Sequence, residues 1–92
     1  MLKKFVIERE IPKVGSLDHN HLRGVAVNSN AALDKMDNKV QWIQSFITGD
    51  KTYCVYMAED SEAVRQHAQI AGIPANVVNE VETTIDASTA RA

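Results

Sequence analysis

Cysteine, tyrosine and histidine side chains come together in one short part of this sequence. The stretch YCVYMAED, residues 53–60, puts Cys54 and Tyr56 in a β-like run, and His67 follows in the next helical segment. An imidazole and a thiolate together suit a borderline metal such as nickel, zinc or copper, and a neighbouring histidine can also make a thiol more reactive. The alternative is an ordinary core, since free cysteine is among the most buried residue types. The spacing therefore indicates either a small reactive site or tight packing.

A carboxylate and two further histidines are the other polar candidates in the sequence. Glu8 lies in a strand predicted to be central, where an ionised side chain needs a polar pocket or a partner such as Arg9 or Lys51. The histidines of DHNH, residues 18–21, cannot share a helix face and could bind metal only in a loop. No CxxC, HxxxH or HExxH spacing occurs. From the residues alone, His67 and Cys54 are the candidate metal ligands, and Glu8 is a candidate functional carboxylate.

The sequence carries no recognisable catalytic constellation. It has no visible Ser/His/Asp set, no second acid at a spacing suited to acid–base work and no Gly-rich phosphate loop, so no catalytic residue is assigned. An enzymatic alternative uses His67 as a general base, with Tyr56 and Ser45 as orienting hydroxyls. Trp42 and the other hairpin aromatics could form a ligand box, but we favour a subunit interface for them. The candidate ligand-pocket residues are Ser45, Tyr56 and Trp42.

The composition is that of a folded chain without a strong electrostatic preference. Of the 92 residues, 45% are hydrophobic and 24% are charged, and the formal net charge is -2. A chain of this length can form one hydrophobic core, so we expect a single domain over residues 1–92, with residues 86–92 as a frayed tail. The charge favours neither nucleic acid nor anionic lipid, and no apolar run approaches the roughly 20 residues of a membrane helix. A lone cysteine and the lack of a signal-peptide core predict a cytoplasmic protein.

The first half of the chain shows two strand patterns and one helix pattern. KKFVIERE alternates as a strand and stops before Pro12, and Ser16 then caps a helix with one apolar stripe. VQWIQSFIT and TYCVYMA form a hairpin through GDK, in which we expect Gly49 to supply a positive φ. The predicted order up to this point is βαββ.

The second half adds one helix and one strand. Asp60 or Ser61 begins a helix that stops at Gly72 and Pro74. The alternation from Val77 to Ile85 then predicts a last strand. The complete order is βαββαβ.

This order predicts a ferredoxin-like α+β fold, in which right-handed crossovers place two helices on one face of a four-stranded antiparallel sheet. A two-residue hairpin turn divides the side chains of the hairpin between two apolar faces. One face carries Trp42, Gln44, Phe46, Tyr53, Val55 and Met57, and the opposite face carries Ile43, Ser45, Ile47, Cys54 and Tyr56. Because two helices cover only one face, we expect them on the face of Cys54 and Tyr56, and we expect a homodimer that buries the other face, with Trp42 and Tyr53, sheet against sheet.

Four motifs within residues 4–86, FVIEREIP, VQWIQSFIT, KTYCVYMAED and RQHAQIAGIPAN, resemble a known family. It is a family of small bacterial ferredoxin-like proteins of unknown function whose described members include a nickel-responsive, nickel-binding protein. The family pattern falls here on Val6–Arg9, Trp42, Tyr53–Tyr56, His67–Ala68 and Gly72–Ala75. The resemblance implies a dimeric α/β barrel, a superfamily that also includes small monooxygenases.

The chain departs from that family pattern at two positions. Gln44 stands where many relatives carry a histidine, and Ile73 replaces their usual phenylalanine. An amide is a poorer nickel ligand than an imidazole, which leaves His67, Cys54 and Glu8 as the candidates. We expect a cytoplasmic homodimer that binds nickel, another divalent transition metal or a small ligand. The alternatives are a cofactor-independent enzyme, oxygenase-like or isomerase-like, and an interaction module without a ligand.

Overall fold

The elements follow the predicted order in the computed structural model, which describes residues 1–37 and 39–91. The strands are β1 (Lys3–Glu10), β2 (Val40–Ile47), β3 (Lys51–Ala58) and β4 (Val77–Glu80), and the helices are α1 (His19–Asp34) and α2 (Ser61–Ala71). Short 3-10 helices cover Val14–Ser16 and Ala87–Arg91. The second one lies in the tail that was predicted to fray, and the last residue of that tail, Ala92, is outside the described residues. Within these residues, no helix combines the length and the apolar composition needed to cross a bilayer.

The four strands form one antiparallel sheet in the order β2-β3-β1-β4. The central strand β1 pairs with β3 over its whole length and with β4 from Phe5 to Glu8. Helix α1 connects β1 to β2, and α2 connects β3 to β4. This arrangement confirms the predicted ferredoxin-like fold.

The two helices are not equally buried on the sheet. Every second residue is buried from Phe5 to Arg9 of β1 and throughout β3, which marks the face covered by the helices. The core under them contains Phe5, Ile7, Met36, Val40, Cys54, Tyr56, Ala58 and Val64. Helix α2 buries Val64, His67 and Ala68, whereas α1 buries only Ser29 and Ala32. Helix α2 therefore packs on the sheet along its apolar face, and much of the apolar stripe of α1 does not.

Helix α2 begins and ends as the sequence predicts. The Asp60 carboxylate accepts a hydrogen bond from the backbone N–H of Ala63 at 2.9 Å and caps the first turn. At the other end, Gly72 adopts the left-handed conformation with φ of 71°, and Pro74 follows in the next loop.

The predicted start of helix α1 at Ser16 is wrong. Ser16 lies in the short 3-10 helix, and its hydroxyl donates to the Lys13 carbonyl at 2.7 Å, so it does not cap α1. Asp18 is the N-cap instead, because its carboxylate accepts the backbone N–H of His21 at 2.9 Å.

The tight hairpin between β2 and β3 is confirmed, but the prediction of a positive φ at Gly49 is wrong. The Thr48 N–H donates to the Lys51 carbonyl at 2.9 Å and closes the turn. Of the glycines, all of which lie in the described residues, only Gly72 has a positive φ. Close approach, and not φ, requires a glycine at Gly15, where a Cβ would come within 2.4 Å of the Thr48 carbonyl oxygen. The segment before α1 therefore lies directly against the hairpin turn.

Strand β4 is shorter than the predicted span from Val77 to Ile85. It ends at Glu80, and one further bond joins the Val81 N–H to the Lys4 carbonyl at 2.8 Å. Because the antiparallel partner β1 begins at Lys3, little backbone remains for β4 to pair with beyond this point.

A β-bulge in β2 overturns the predicted position of Trp42. Trp42 lies opposite Tyr56 and Gln44 opposite Val55, which makes Ile43 the extra residue. One inserted residue reverses the faces of the residues that precede it, since side chains alternate along a strand. Trp42 therefore shares the helix-covered face with Tyr56 instead of the open face.

The other face of the sheet is covered by neither α1 nor α2 and is called the open face. As predicted, Phe46, Tyr53, Val55 and Met57 of the hairpin lie there, together with Val6 of β1. None of these side chains is fully buried within one copy of the chain, and Phe46 is 55% exposed.

Candidate functional site

A cavity of about 350 Å³ separates helix α1 from the sheet. Its apolar walls come from the segment before α1, the inner side of α1, the hairpin and the loop after α2. The residues that form them are Ile11, Val14, Leu17, Leu22, Val25, Ala26, Trp42, Ile47, Ile73 and Pro74. The cavity explains the weak burial of α1, since Leu22, Val25 and Ala26 face this space and not the sheet.

Polar side chains are few in this wall. They are Arg9, Ser29, Ser45, Thr52, Cys54 and Tyr56. Most of them stand on β1, β2 and β3, whereas α1 contributes Ser29 and otherwise apolar side chains. The cavity therefore has a polar floor on the sheet and an apolar roof on the helix.

Arg9 is the residue of this site that sequence reasoning missed. Its side chain is only 1% exposed; Nη1 donates to the Pro74 carbonyl oxygen, and Nη2 donates to the Tyr56 hydroxyl at 3.1 Å. Its Nε has no hydrogen-bond partner among the described residues. The signal was present in the alternation of β1, because Arg9 shares the face of Phe5 and Ile7, which predicts burial.

His67 lies buried beside Tyr56 and is not part of the cavity wall. The two ring centroids are 5.3 Å apart, and Nε2 is 3.3 Å from the Ser29 carbonyl oxygen, which makes Nε2 the protonated nitrogen. Burial lowers the pKa of His67, the Ser29 hydrogen bond opposes this, and the charge of Arg9 lowers the pKa further. The imidazole is therefore neutral near pH 7, and its Nδ1 is buried without a partner among the described residues.

The hydroxyl of Tyr56 is the only side-chain acceptor that the described residues offer to Arg9. Burial raises the pKa of Tyr56, and the charge of Arg9 partly offsets that effect. Tyr56 therefore stays protonated near pH 7. The Arg9 guanidinium carbon lies 5.8 Å from the Tyr56 ring centre, within the range of a cation–π contact.

The predicted ligand-pocket residues Ser45, Tyr56 and Trp42 all line the cavity. The bulge brings Trp42 there, and its indole Nε1 donates to the Ser45 hydroxyl at 2.9 Å. Cys54 is buried in the same wall, with its Sγ 3.6 Å from Oγ1 of Thr52.

The structure does not bring the three predicted metal ligands together. Cys54 and His67 are both on the helix-covered side, but Glu8 is on the open face, where its carboxylate pairs with Lys51 at 3.3 Å. The hydrogen bond and charge of Glu8 raise the pKa of Lys51.

Metal ligands are scarce in the part of the chain that the structure describes. No three His, Cys, Asp or Glu side chains come together there in a group that could hold a metal ion. In DHNH, His21 Nδ1 lies 2.7 Å from the Asp18 carboxylate, and both side chains are exposed. A nickel site formed by one copy alone does not fit these residues.

Comparisons with known proteins point to one family. The family model described as "Nickel responsive protein SCO4226-like" matches residues 5–81. A solved structure, "Crystal structure analysis of SCO4226 from Streptomyces coelicolor A3(2)", is similar with a TM-score of 0.74 and 19% identity, and the match covers 89% of this chain and 99% of that one. At this identity the likeness shows the fold alone. No curated protein matches the chain significantly.

Proposed function

The chain belongs to the SCO4226-like family of nickel responsive proteins, and from this premise we propose that it is a binding protein that holds a small, largely apolar organic molecule between α1 and the sheet. The observation that supports the proposal is the cavity of about 350 Å³ with its apolar roof and polar floor. Small-molecule sites are typically concave and apolar, with a few placed polar groups. Ser45, Tyr56 and Trp42 are the proposed ligand contacts.

The incomplete burial of α1 supports the same proposal. Val25 lines the cavity and remains 49% exposed. Covering apolar surface of this kind stabilises a complex by roughly 25 cal/mol per Å². A ligand with an apolar body would therefore supply the packing that the sheet does not give to α1.

The test is a binding titration followed by the emission of Trp42, which is the only tryptophan of the chain and lines the cavity. The probes are octanoate, octanamide and 1-octanol. Ala26→Phe fills the cavity from α1 and should weaken binding by at least about tenfold, whereas Val27→Phe adds the same ring on the exposed side of α1 and should not. If no probe changes the emission of Trp42, the proposal fails.

A second candidate function is binding of nickel or another divalent transition metal by a homodimer. Two observations favour it: the description of the family and the neutral imidazole of His67, whose Nδ1 has no partner among the described residues. Imidazole and thiolate are suitable nickel ligands, so His67 and Cys54 are the proposed donors. Because one copy supplies no group of three ligands in its described part, His67 and Cys54 would hold the metal with water or another small ligand completing its coordination. Glu8 is on the opposite face of the sheet from His67 and Cys54, so we propose it as the carboxylate ligand of a separate site shared between the open faces of two copies.

Elemental analysis and a calorimetric titration with nickel chloride test this second function. The wild-type protein should hold nickel in a fixed ratio, and His67→Ala and Cys54→Ser should each reduce that ratio while the protein remains folded. Glu8→Gln tests the carboxylate separately. No heat and no bound metal in the wild-type protein would exclude this function.

We propose the cytoplasm as the location and a homodimer as the working state. No catalytic step is proposed, because the imidazole expected to act as a base is not in the cavity wall. An interaction module without a ligand is the outcome if neither titration shows binding.

A further inference from the structure

We propose that the molecule held in this cavity is an organic monoanion, a carboxylate with an apolar body, whose negative charge pairs with Arg9. This inference rests on the proposed small-ligand function and specifies the class of ligand. The argument begins with the charge on the cavity wall.

Arg9 is a buried cation without a buried anion to match it. Arginine stays protonated at every pH a folded protein meets. Its side chain is 1% exposed, and no carboxylate of the described residues forms an ion pair with it. The ion pairs of Lys3 with Glu80 and of Lys51 with Glu8 lie at partly exposed positions. An unpaired charge in an apolar surrounding is costly, and an incoming anion would remove that cost.

The hydrogen bonds of Arg9 do not use its full capacity. A guanidinium has five N–H donors, and Nη1 and Nη2 reach only the Pro74 carbonyl oxygen and the Tyr56 hydroxyl. The Nε–H has no partner among the described residues. Both acceptors are uncharged, so the positive charge remains uncompensated where the side chain borders the cavity.

The titratable neighbours do not supply the missing charge. Burial raises the pKa of Tyr56 and lowers the pKa of His67, so both are neutral near pH 7. Arg9 is the only charged side chain among the residues that line the cavity in the described part of the chain. The cavity therefore has a net positive wall.

The rest of the wall limits the class of anion. A single cation in an apolar cavity of about 350 Å³ matches one negative charge and leaves most of the ligand in contact with Leu22, Val25 and Ala26. A doubly charged phosphate would find only one cation in this wall. Without an apolar body, it would also leave the apolar side chains of α1 without contact. A planar carboxylate matches the fork of an arginine and can accept two of its N–H groups.

The first test compares octanoate with its uncharged isostere octanamide on the wild-type protein, using the emission of Trp42. Charge-assisted hydrogen bonds predict that octanoate binds about 10- to 100-fold more tightly. Equal affinities would overturn the inference and leave the proposed small-ligand function intact. If neither compound binds, the proposed function fails and the inference fails with it.

The second test assigns the preference to one side chain. Arg9→Gln should bring the affinity for octanoate down to that for octanamide, and Arg9→Lys, which keeps the charge, should retain part of the difference. Lys51→Gln removes the same charge from the open face and should leave the preference unchanged. A preference for octanoate that survives in Arg9→Gln would overturn the inference. If Arg9→Gln does not fold, as judged by circular dichroism, the wild-type comparison and Arg9→Lys decide the question.

Discussion

Tyr56 contacts both Arg9 and His67, which are the buried basic side chains in the part of the chain that the structure describes. Its hydroxyl accepts from Arg9 Nη2 at 3.1 Å, and its ring centre is 5.3 Å from that of His67. The three side chains form a polar group inside an otherwise apolar face of the sheet, so the removal of one member leaves a partner unsatisfied.

We predict that Tyr56→Phe lowers the free energy of unfolding by about 1–3 kcal/mol, because it leaves a buried N–H of a charged group without its acceptor. Urea denaturation measures the change. Tyr53→Phe removes the same hydroxyl from the half-buried open face and should change stability by less than about 0.5 kcal/mol. Similar losses in the two variants would contradict a structural role for the contact between Arg9 and Tyr56.

The stability of the protein should fall as the pH falls below the ordinary pKa of histidine. The pKa of His67 is lower in the folded chain, so the unfolded chain binds more protons once the pH drops below about 6.5. The contribution of the neutral imidazole to the free energy of unfolding is fully present above that pH. It is lost progressively as the pH falls toward the lower pKa that His67 has in the folded chain.

Urea unfolding at about pH 7.5 and about pH 5.5 tests this pH dependence. His67→Gln removes the titrating ring and should reduce the loss of stability between the two values. His19→Gln removes an exposed ring from the start of α1 and should retain the wild-type loss. Equal losses in wild type and His67→Gln would show that other groups cause the pH dependence.

At the scale of elements, the contact between the 3-10 helix before α1 and the hairpin turn depends on Gly15. A Cβ at this position would approach the Thr48 carbonyl oxygen to 2.4 Å, a backbone atom that cannot move without shifting the turn. The Gly15 N–H also donates to the Gly49 carbonyl at 3.0 Å, so both segments are fixed together.

We predict that Gly15→Ala lowers the free energy of unfolding by about 1–3 kcal/mol through this overlap. Gly24→Ala is the matched control, since nothing lies within 4 Å of its added Cβ and it is inside α1. That variant should gain up to about 1 kcal/mol from helix propensity. Thermal or urea unfolding of both variants gives the comparison, and a stable Gly15→Ala protein would contradict the close approach.

Most elements could be predicted from the sequence because local signals specify them. Asp60 and Gly72 mark the start and the end of α2. The helix-like and strand-like hydrophobic patterns along the chain predict the order βαββαβ. The end of β4 could not be predicted from local signals. It depends on where β1 begins, and β1 is a pairing partner far away in the sequence. The start of α1 was predicted at Ser16 and lies at Asp18 instead, because Ser16 belongs to the short 3-10 helix of the preceding segment, whose fold is not visible in the local pattern.

The bulge in β2 explains why the site was only partly predictable. Neither glycine nor proline marks Ile43, so the alternation alone placed Trp42 on the wrong face. Tyr56, Cys54 and Ser45 were placed on the helix-covered face because the pairing after the bulge is regular. Arg9 was missed because its charge suggested exposure, although the residues two and four positions before it are buried.

At the scale of the whole molecule, the open face is the surface that one copy leaves without a cover. Its centre is formed by apolar side chains of the three longer strands, and the rim contains the ion pair between Glu8 and Lys51. Contiguous apolar surface of this kind usually marks an interaction site in a soluble protein. A second copy is the proposed partner.

Light scattering at micromolar concentration should therefore give a mass of about twice the 10.2 kDa of one chain. Phe46→Lys places a charge on the exposed part of this face and should shift the protein toward the monomer, because burying an unpaired charge is costly. Val27→Lys changes an exposed residue of α1 and should leave the mass unchanged. A wild-type mass of a single chain would contradict the homodimer.

The sole thiol of the chain is buried in the wall of the cavity. A reagent such as iodoacetamide is smaller than octanoate, so it can approach Cys54 through the same cavity that the proposed ligand would fill. A bound ligand should therefore slow the alkylation of Cys54 by occupying the space in front of the sulfur. Labelling kinetics followed by mass spectrometry would then report the occupancy of the cavity from a single atom.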